Sequence, residues 1–168
     1  VVLAASRFIR KVEPKTSALD KDVEVLHAIL RAFATQFIPE TQDEADGFAK
    51  KSLKEIVAAL AASFAQGTPD YSLGVYSATG GHALLPYALE FPEKDTAVIK
   101  VYDSNWPGAD RYVTADLAKG EWSFSFSGKD PANDPKMWRG KKGDIDLISL
   151  KTRESGSCPF CAIDKAVK

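Results

Sequence analysis

The sequence predicts an α+β fold, with helices first and a mostly antiparallel sheet second. Apolar residues recur at helical spacing through residues 1–67, and after Pro69 the period changes to that of strands. The size agrees: 168 residues, 45% hydrophobic, suit one globular domain. A chain of this length buries roughly 70% of its unfolded surface and needs no staple.

The elements follow in order. Val1, Ala5, Phe8, Ile9 and Val12 fall near one helical face, and the pattern stops at Pro14. We read Val1 to Val12 as an amphipathic helix whose beginning is missing, and expect the chain to be a processed or truncated product of a longer polypeptide. Ser17 or Asp20 can cap a second helix, in which Leu26, Ile29, Leu30, Phe33 and Phe37 form an apolar stripe ended by Pro39. Thr41-Gln42-Asp43-Glu44 reads as a capping box, with Thr41 at the cap and Glu44 reaching back. The third helix carries Leu53, Ile56, Val57, Leu60 and Phe64, and Gly67 and Pro69 terminate it. Three matched stripes are expected to pack on each other or on a sheet.

Six strands are predicted: Tyr71 to Tyr76, Ala83 to Phe91, Thr96 to Tyr102, Arg111 to Ala115, Trp122 to Phe126 and Ile145 to Leu150. Trp122, Phe124 and Phe126 alternate with Ser123 and Ser125, which predicts one apolar and one solvated face. Pro92-Glu93-Lys94-Asp95 and Lys119-Gly120 read as turns, and Gly128 to Gly143 as a surface loop. The expected organisation is a single domain over 1–168: a helical part (1–67), a sheet part (68–150) and a C-terminal tail (151–168) with a C-x-x-C pair.

Net charge is −1 and the isoelectric point about 6.2, which carries no nucleic-acid footprint. No run of about eighteen apolar residues predicts a membrane span. Val1 to Ile9 does not read as a secretory leader, because it lacks a basic lead-in and Arg7 interrupts it. No Gly-x-Ser-x-Gly elbow occurs, which argues against a serine hydrolase, and neither a Walker A nor a Gly-x-Gly-x-x-Gly phosphate cradle is present; no cofactor is expected. Lys136 to Lys142 is locally basic, but Asp130, Asp134 and Asp144 make it read as a solvated loop.

Two segments can carry chemistry. Gly80-Gly81-His82-Ala83 opens one strand, and Tyr102-Asp103-Ser104-Asn105-Trp106-Pro107-Gly108 closes the next. A general base needs an imidazole with one nitrogen free and the other held by an acceptor. The glycines allow a sharp entry for His82. If the strands pair, Asp103 comes near His82 and selects its tautomer, Asn105 does this more weakly, and Trp106 shields the pair. The plainer reading is a structural histidine beside an ordinary Asp/Asn/Pro-Gly turn. His27 lies beside its helix's stripe and reads as incidental.

Gly-Gly-His-Ala followed by Val-Tyr-Asp-Ser-Asn-Trp-Pro-Gly, over residues 80–108, resembles the papain-like cysteine peptidase superfamily. In that superfamily a His begins one strand and an Asn or Asp ends the next. The use of Asp is similar to the bacterial, bacteriocin-processing branch. The resemblance implies a thiol hydrolase acting on a peptide or protein, with His82 as base, Asp103 as orienting residue, Asn105 in support, and Gly81 and Trp106 in substrate binding or shielding. It also implies a nucleophilic Cys at the start of the first helix, which falls before Val1. An N-terminal segment of the same precursor is therefore an expected partner. A papain-like binding domain without catalysis is the alternative. Location is unknown; bacterial cytoplasmic and secreted settings both fit.

Cys158-Pro159-Phe160-Cys161 invites a second alternative, a redox or zinc module. The tetrad resembles that of glutaredoxins, but no βαβ unit follows it. Cys158 and Cys161 supply two of about four zinc ligands, and only His27 and His82 can add imidazoles. Cys161 also precedes a segment that can start a helix, as a permuted nucleophile would. A free or locally oxidised pair in a terminal segment is the plain reading.

Overall fold

The computed structural model describes residues 23–67, 70–127 and 131–155. Within them the chain runs α1 (Val23–Ala34), a 3-10 turn (Thr35–Phe37), α2 (Pro39–Ala49), α3 (Leu53–Ala65), β1 (Tyr71–Ser77), β2 (Gly80–Glu93), β3 (Thr96–Tyr102), β4 (Arg111–Asp116) and β5 (Glu121–Phe124). A 3-10 turn (Pro131–Asn133), β6 (Trp138–Gly140), β7 (Ile145–Ser149) and α4 (Leu150–Ser155) complete it. The helix expected over Val1 to Val12, the caps Ser17 and Asp20, and the Cys158/Cys161 pair lie outside the described residues.

The α+β class holds: among the described residues, four helices accompany one antiparallel sheet of order β6-β5-β4-β3-β2-β1-β7. The two edge strands are neighbours in sequence, joined by Lys141–Asp144 alone. A flat stack of seven strands would hold its edges about 29 Å apart, whereas four linking residues reach at most about 17 Å. The sheet therefore curls until β6 approaches β1, and the Tyr76 N–H donates to the Asp144 carbonyl at 2.9 Å. Strong right-handed twist makes such curling natural for a long antiparallel sheet. Pro86 is accommodated within β2 because the pairing with β3 shifts register between Pro86 and Ala88.

Helix α3 supplies the core. Ser52 caps it, its Oγ accepting the Glu55 N–H at 3.3 Å while Glu55 Oε2 accepts the Ser52 N–H at 2.8 Å. Leu53, Ile56, Val57 and Leu60, at the expected spacing, are buried against the inner face of the sheet with Leu73, Val75, Ile99 and Val113. Alternation along β3 is regular: Ala97, Ile99 and Val101 point inward.

The helical part departs from expectation in two places. Thr41 and Glu44 do not form a capping box. Pro39 pre-sets the backbone and opens α2 at its first turn, so Thr41 is already inside the helix and buried. Glu44 reaches away instead, its Oε2 accepting the Ser149 N–H of β7 at 3.0 Å. The stripe of the second predicted helix is also not a core face. In α1 and the following turn, Leu30 is 55% exposed and Phe33 and Phe37 are each 61% exposed. Anchoring comes from the buried Thr35 and Ile38, one turn further on. Periodicity marks a face, but burial needs a partner within reach.

The sheet part gains two elements. β6 lies inside the predicted loop 128–143; its three residues are too few to show a period. It forms because Trp138 and Gly140 pair with Phe124 and Trp122. A Cβ on Gly140 would sit 2.5 Å from the Trp122 ring, so the indole requires glycine there. Residues Leu150–Ser155, expected as a strand end and tail, form α4, where the Ser149 Oγ accepts the Thr152 N–H at 3.0 Å. Ser125 is another correction: β5 ends at Phe124, and Ser125 is buried rather than solvated.

These burials predict a contrast. Leu60→Ala should lower unfolding free energy by about 3 kcal/mol, as for other fully buried leucines. Leu30→Ala should change it by less than about 0.5 kcal/mol. Denaturant titration of both variants checks this, and equal losses would contradict the exposed position of α1.

Candidate active site

The pairing of β2 with β3 decides where the two candidate segments meet. Leu85 lies opposite Tyr102, so the start of β2 and the residues just past β3 share one end of the sheet. His82 lies opposite the inward-pointing Val75, and Asp103 has the inward parity of Val101. Both side chains thus come to the same face. His82 Nε2 lies 2.9 Å from Asp103 Oδ1. The imidazole is 13% exposed and the carboxylate has no exposed surface.

A buried carboxylate is costly unless several groups compensate it. The backbone N–H of Asn105 donates to Asp103 Oδ1 at 2.9 Å, closing an Asx turn, and the Trp106 N–H donates to the Asp103 carbonyl at 3.0 Å. Arg111, fully buried at the start of β4, places Nε 3.7 Å from Asp103 Oδ2. Burial pushes the Asp103 carboxyl up, but the His82 hydrogen bond, the Asn105 amide and the nearby Arg111 charge outweigh it, leaving it below the usual carboxylate range. With an acceptor on Nε2, the neutral imidazole carries its hydrogen there and leaves Nδ1 free to accept a proton.

Aromatic side chains wall the imidazole. Phe126 meets it edge-on at 5.3 Å between centroids, and Phe124 lies at 5.9 Å. Phe126 in turn stacks on Trp138 at 4.7 Å. A cavity of about 310 Å³ lies alongside, bordered by His82, Leu84, Leu85, Asn105, Phe33 and Arg153.

The loop after β5 is tied down by Asp134. Its Oδ2 accepts the Ser125 and Ser127 hydroxyls, each at 2.7 Å, and its Oδ1 accepts the Lys136 N–H at 2.8 Å. These hydrogen bonds hold the Asp134 carboxyl down at about 2. Ser125 also offers its carbonyl to the Arg111 guanidinium. One loop thereby fixes both the aromatic wall and the cation behind Asp103.

The expected site residues are placed as follows. His82 and Asp103 come together. Asn105 contributes its backbone N–H rather than its amide, and its side chain is exposed. Trp106 turns away from the imidazole: its Nε1 donates to the Phe126 carbonyl at 3.2 Å and its ring lies 5.7 Å from the Arg111 guanidinium. Shielding falls to Phe124 and Phe126. Gly81 faces Tyr76 across the β1–β2 pair, and a Cβ there would lie 2.8 Å from the Tyr76 ring. That ring is pinned, because its hydroxyl donates to Asp146 Oδ2 at 2.8 Å. Gly81 thus permits close strand approach beside His82. His27 is exposed. No group of three or more His, Cys, Asp or Glu suited to a metal occurs among the described residues.

Arg111 and Asp134 were not foreseen. The signal for Arg111 was present: it shares strand parity with Val113 and Ala115, both inward-facing. A cation on an apolar strand face implies a buried anion. Asp134 carried no such signal, since its serine partners are brought to it by tertiary structure.

No protein-family model matches this chain, and neither a curated protein nor a solved structure matches it.

The Asp134 contacts imply an acid dependence. The group's ordinary value of 3.8 falls to about 2 in the folded chain. Its contribution to stability is therefore full above the ordinary value and is lost as pH falls through 3.8 towards 2. Urea unfolding of the unsubstituted chain and Asp134→Ala should show a stability gap at roughly pH 6 that closes at roughly pH 2. A gap independent of pH would contradict this.

Proposed function

We propose that this chain belongs to a thiol hydrolase of papain-like type, acting on a peptide or related amide, with His82 as the proton carrier and Asp103 as the residue that orients it. The observation that carries this reading is the 2.9 Å contact between His82 Nε2 and the buried Asp103 carboxylate, which leaves Nδ1 unengaged by that acceptor.

The geometry supports a defined division of labour. A cysteine thiol from outside the described residues loses its proton to His82 Nδ1, and the thiolate attacks the substrate carbonyl. Collapse of the tetrahedral adduct breaks the C–N bond, and the imidazolium returns the proton to the departing amine. Water then cleaves the thioester, with His82 again accepting a proton. Asp103 stays ionised throughout and stabilises the imidazolium. Phe124 and Phe126 keep water from one side of the ring, which strengthens the His82–Asp103 bond.

The resemblance over residues 80–108 implies a cysteine thiol facing His82, which the reading requires. A papain-like binding domain without turnover is the competing reading, and the same experiment separates the two. The full-length gene product should cleave peptide amides under reducing conditions and lose this activity to iodoacetamide. His82→Ala should lower kcat/KM by about 10³-fold and Asp103→Asn by at least about 10²-fold. Unchanged turnover in His82→Ala removes His82 from the mechanism, and no thiol-dependent cleavage favours the binding domain.

A further inference from the structure

We propose that Arg111 is a positioning residue of the His82 centre: its buried guanidinium keeps the Asp103 carboxylate ionised and turned towards the imidazole. The importance of this for turnover rests on the hydrolase reading above; the electrostatic role itself does not.

The two carboxylate oxygens of Asp103 are used differently. Oδ1 receives both hydrogen bonds, from His82 Nε2 and the Asn105 N–H. Oδ2 has no hydrogen-bond donor among the described residues and faces Arg111 Nε at 3.7 Å. At that separation the guanidinium acts through its charge, in a region where neither side chain has more than 1% exposure.

Arg111 does not depend on Asp103 for its place. The Ser125 carbonyl accepts from its Nη2, and the Phe124 and Trp106 rings lie 5.3 and 5.7 Å from its guanidinium carbon. Asp134, from the loop after β5, adds a second attractive charge. A planar guanidinium suits a site bounded by two rings and a carbonyl better than an ammonium does. The cation is therefore held by β5 and its loop, and the carboxylate from β3 settles between it and the imidazole from β2.

This arrangement has a chemical consequence. When the imidazolium forms, a buried carboxylate on Nε2 can take up the shared proton, which would leave a neutral ring with its hydrogen on Nδ1 and the bond to Asp103 reversed in direction. A fixed cation on the far oxygen opposes that uptake. Protons then enter and leave at the imidazole, and the carboxylate remains an acceptor. The charged groups facing Asp103 are His82 from β2 and Arg111 from β4, with Asp134 acting on Arg111 from behind.

Two measurements on the full chain test this. In a sample labelled at aspartate ¹³Cγ, the Asp103 titration midpoint should rise by about one pH unit in Arg111→Met relative to the unsubstituted chain. An unmoved midpoint would overturn the proposal. Arg111→Met leaves a buried anion without its counter-charge on Oδ2 and can fail to fold, so denaturant unfolding is compared with Asp103→Asn/Arg111→Met. The double variant should recover most of the stability lost in Arg111→Met. Equal instability of the two would assign Arg111 a packing role alone and overturn the proposal. Neither readout involves turnover. Absence of cleavage with a raised Asp103 midpoint therefore rejects the hydrolase reading only, and His82-dependent cleavage with an unmoved midpoint rejects the role of Arg111 only.

Discussion

A carboxylate with no solvent contact sits at the end of β3, and much of the surrounding structure answers its demand for compensation. Water would solvate an ionised Asp103 at no structural cost. Burial replaces that water with a few fixed groups, each of which must be placed by a different element. β2 brings an imidazole, the Asp103–Trp106 turn brings a backbone amide, and β4 brings a guanidinium. The guanidinium needs its own acceptor and finds it at Ser125, which Asp134 holds through a second hydrogen bond. The chain of dependence runs from a surface loop inward to the imidazole.

The curl of the sheet makes this chain of contacts geometrically available. The short Lys141–Asp144 connection obliges edge strands β6 and β7 to approach one another, and β6 carries Trp138 to the mouth of the curled sheet. There Trp138 stacks on Phe126, and Phe126 meets His82. Helix α3 fills the inner face below with Leu53, Ile56, Val57 and Leu60, which share one side of the helix. A flat sheet would leave His82 with neither its aromatic wall nor the buried neighbours that raise the value of its hydrogen bond. The adjoining cavity places Leu84 and Leu85 of β2 next to the imidazole.

The helical part shows a different balance. α2 is tied to β7 through Glu44, and the following segments are locked by buried Leu53, Ile56 and Leu60. α1 carries an equally regular apolar series, yet most of it faces outward. Two helices with nearly the same pattern thus have opposite fates, because the hydrophobic effect rewards removal of surface from water: α3 packs directly on the sheet, whereas α1 faces it across the cavity. Phe33 and Phe37 meet edge-on at 5.6 Å, which recovers a little of that surface locally.

Much of the architecture was readable along the chain because it depends on interactions between near neighbours. Helical spacing in 53–64, strict alternation in Thr96–Tyr102, and the change of period after Pro69 each follow from local geometry. His82 and Asp103 were readable as a pair because two consecutive strands joined by a short turn leave one antiparallel register with both residues at the same end. Tertiary structure alone decided the rest. It turned Trp106 away from the imidazole, formed a strand at Trp138–Gly140, and put Arg111 behind Asp103. Each of these depends on partners remote in sequence, whose arrival changes which groups are exposed to water and which must find a counter-charge inside.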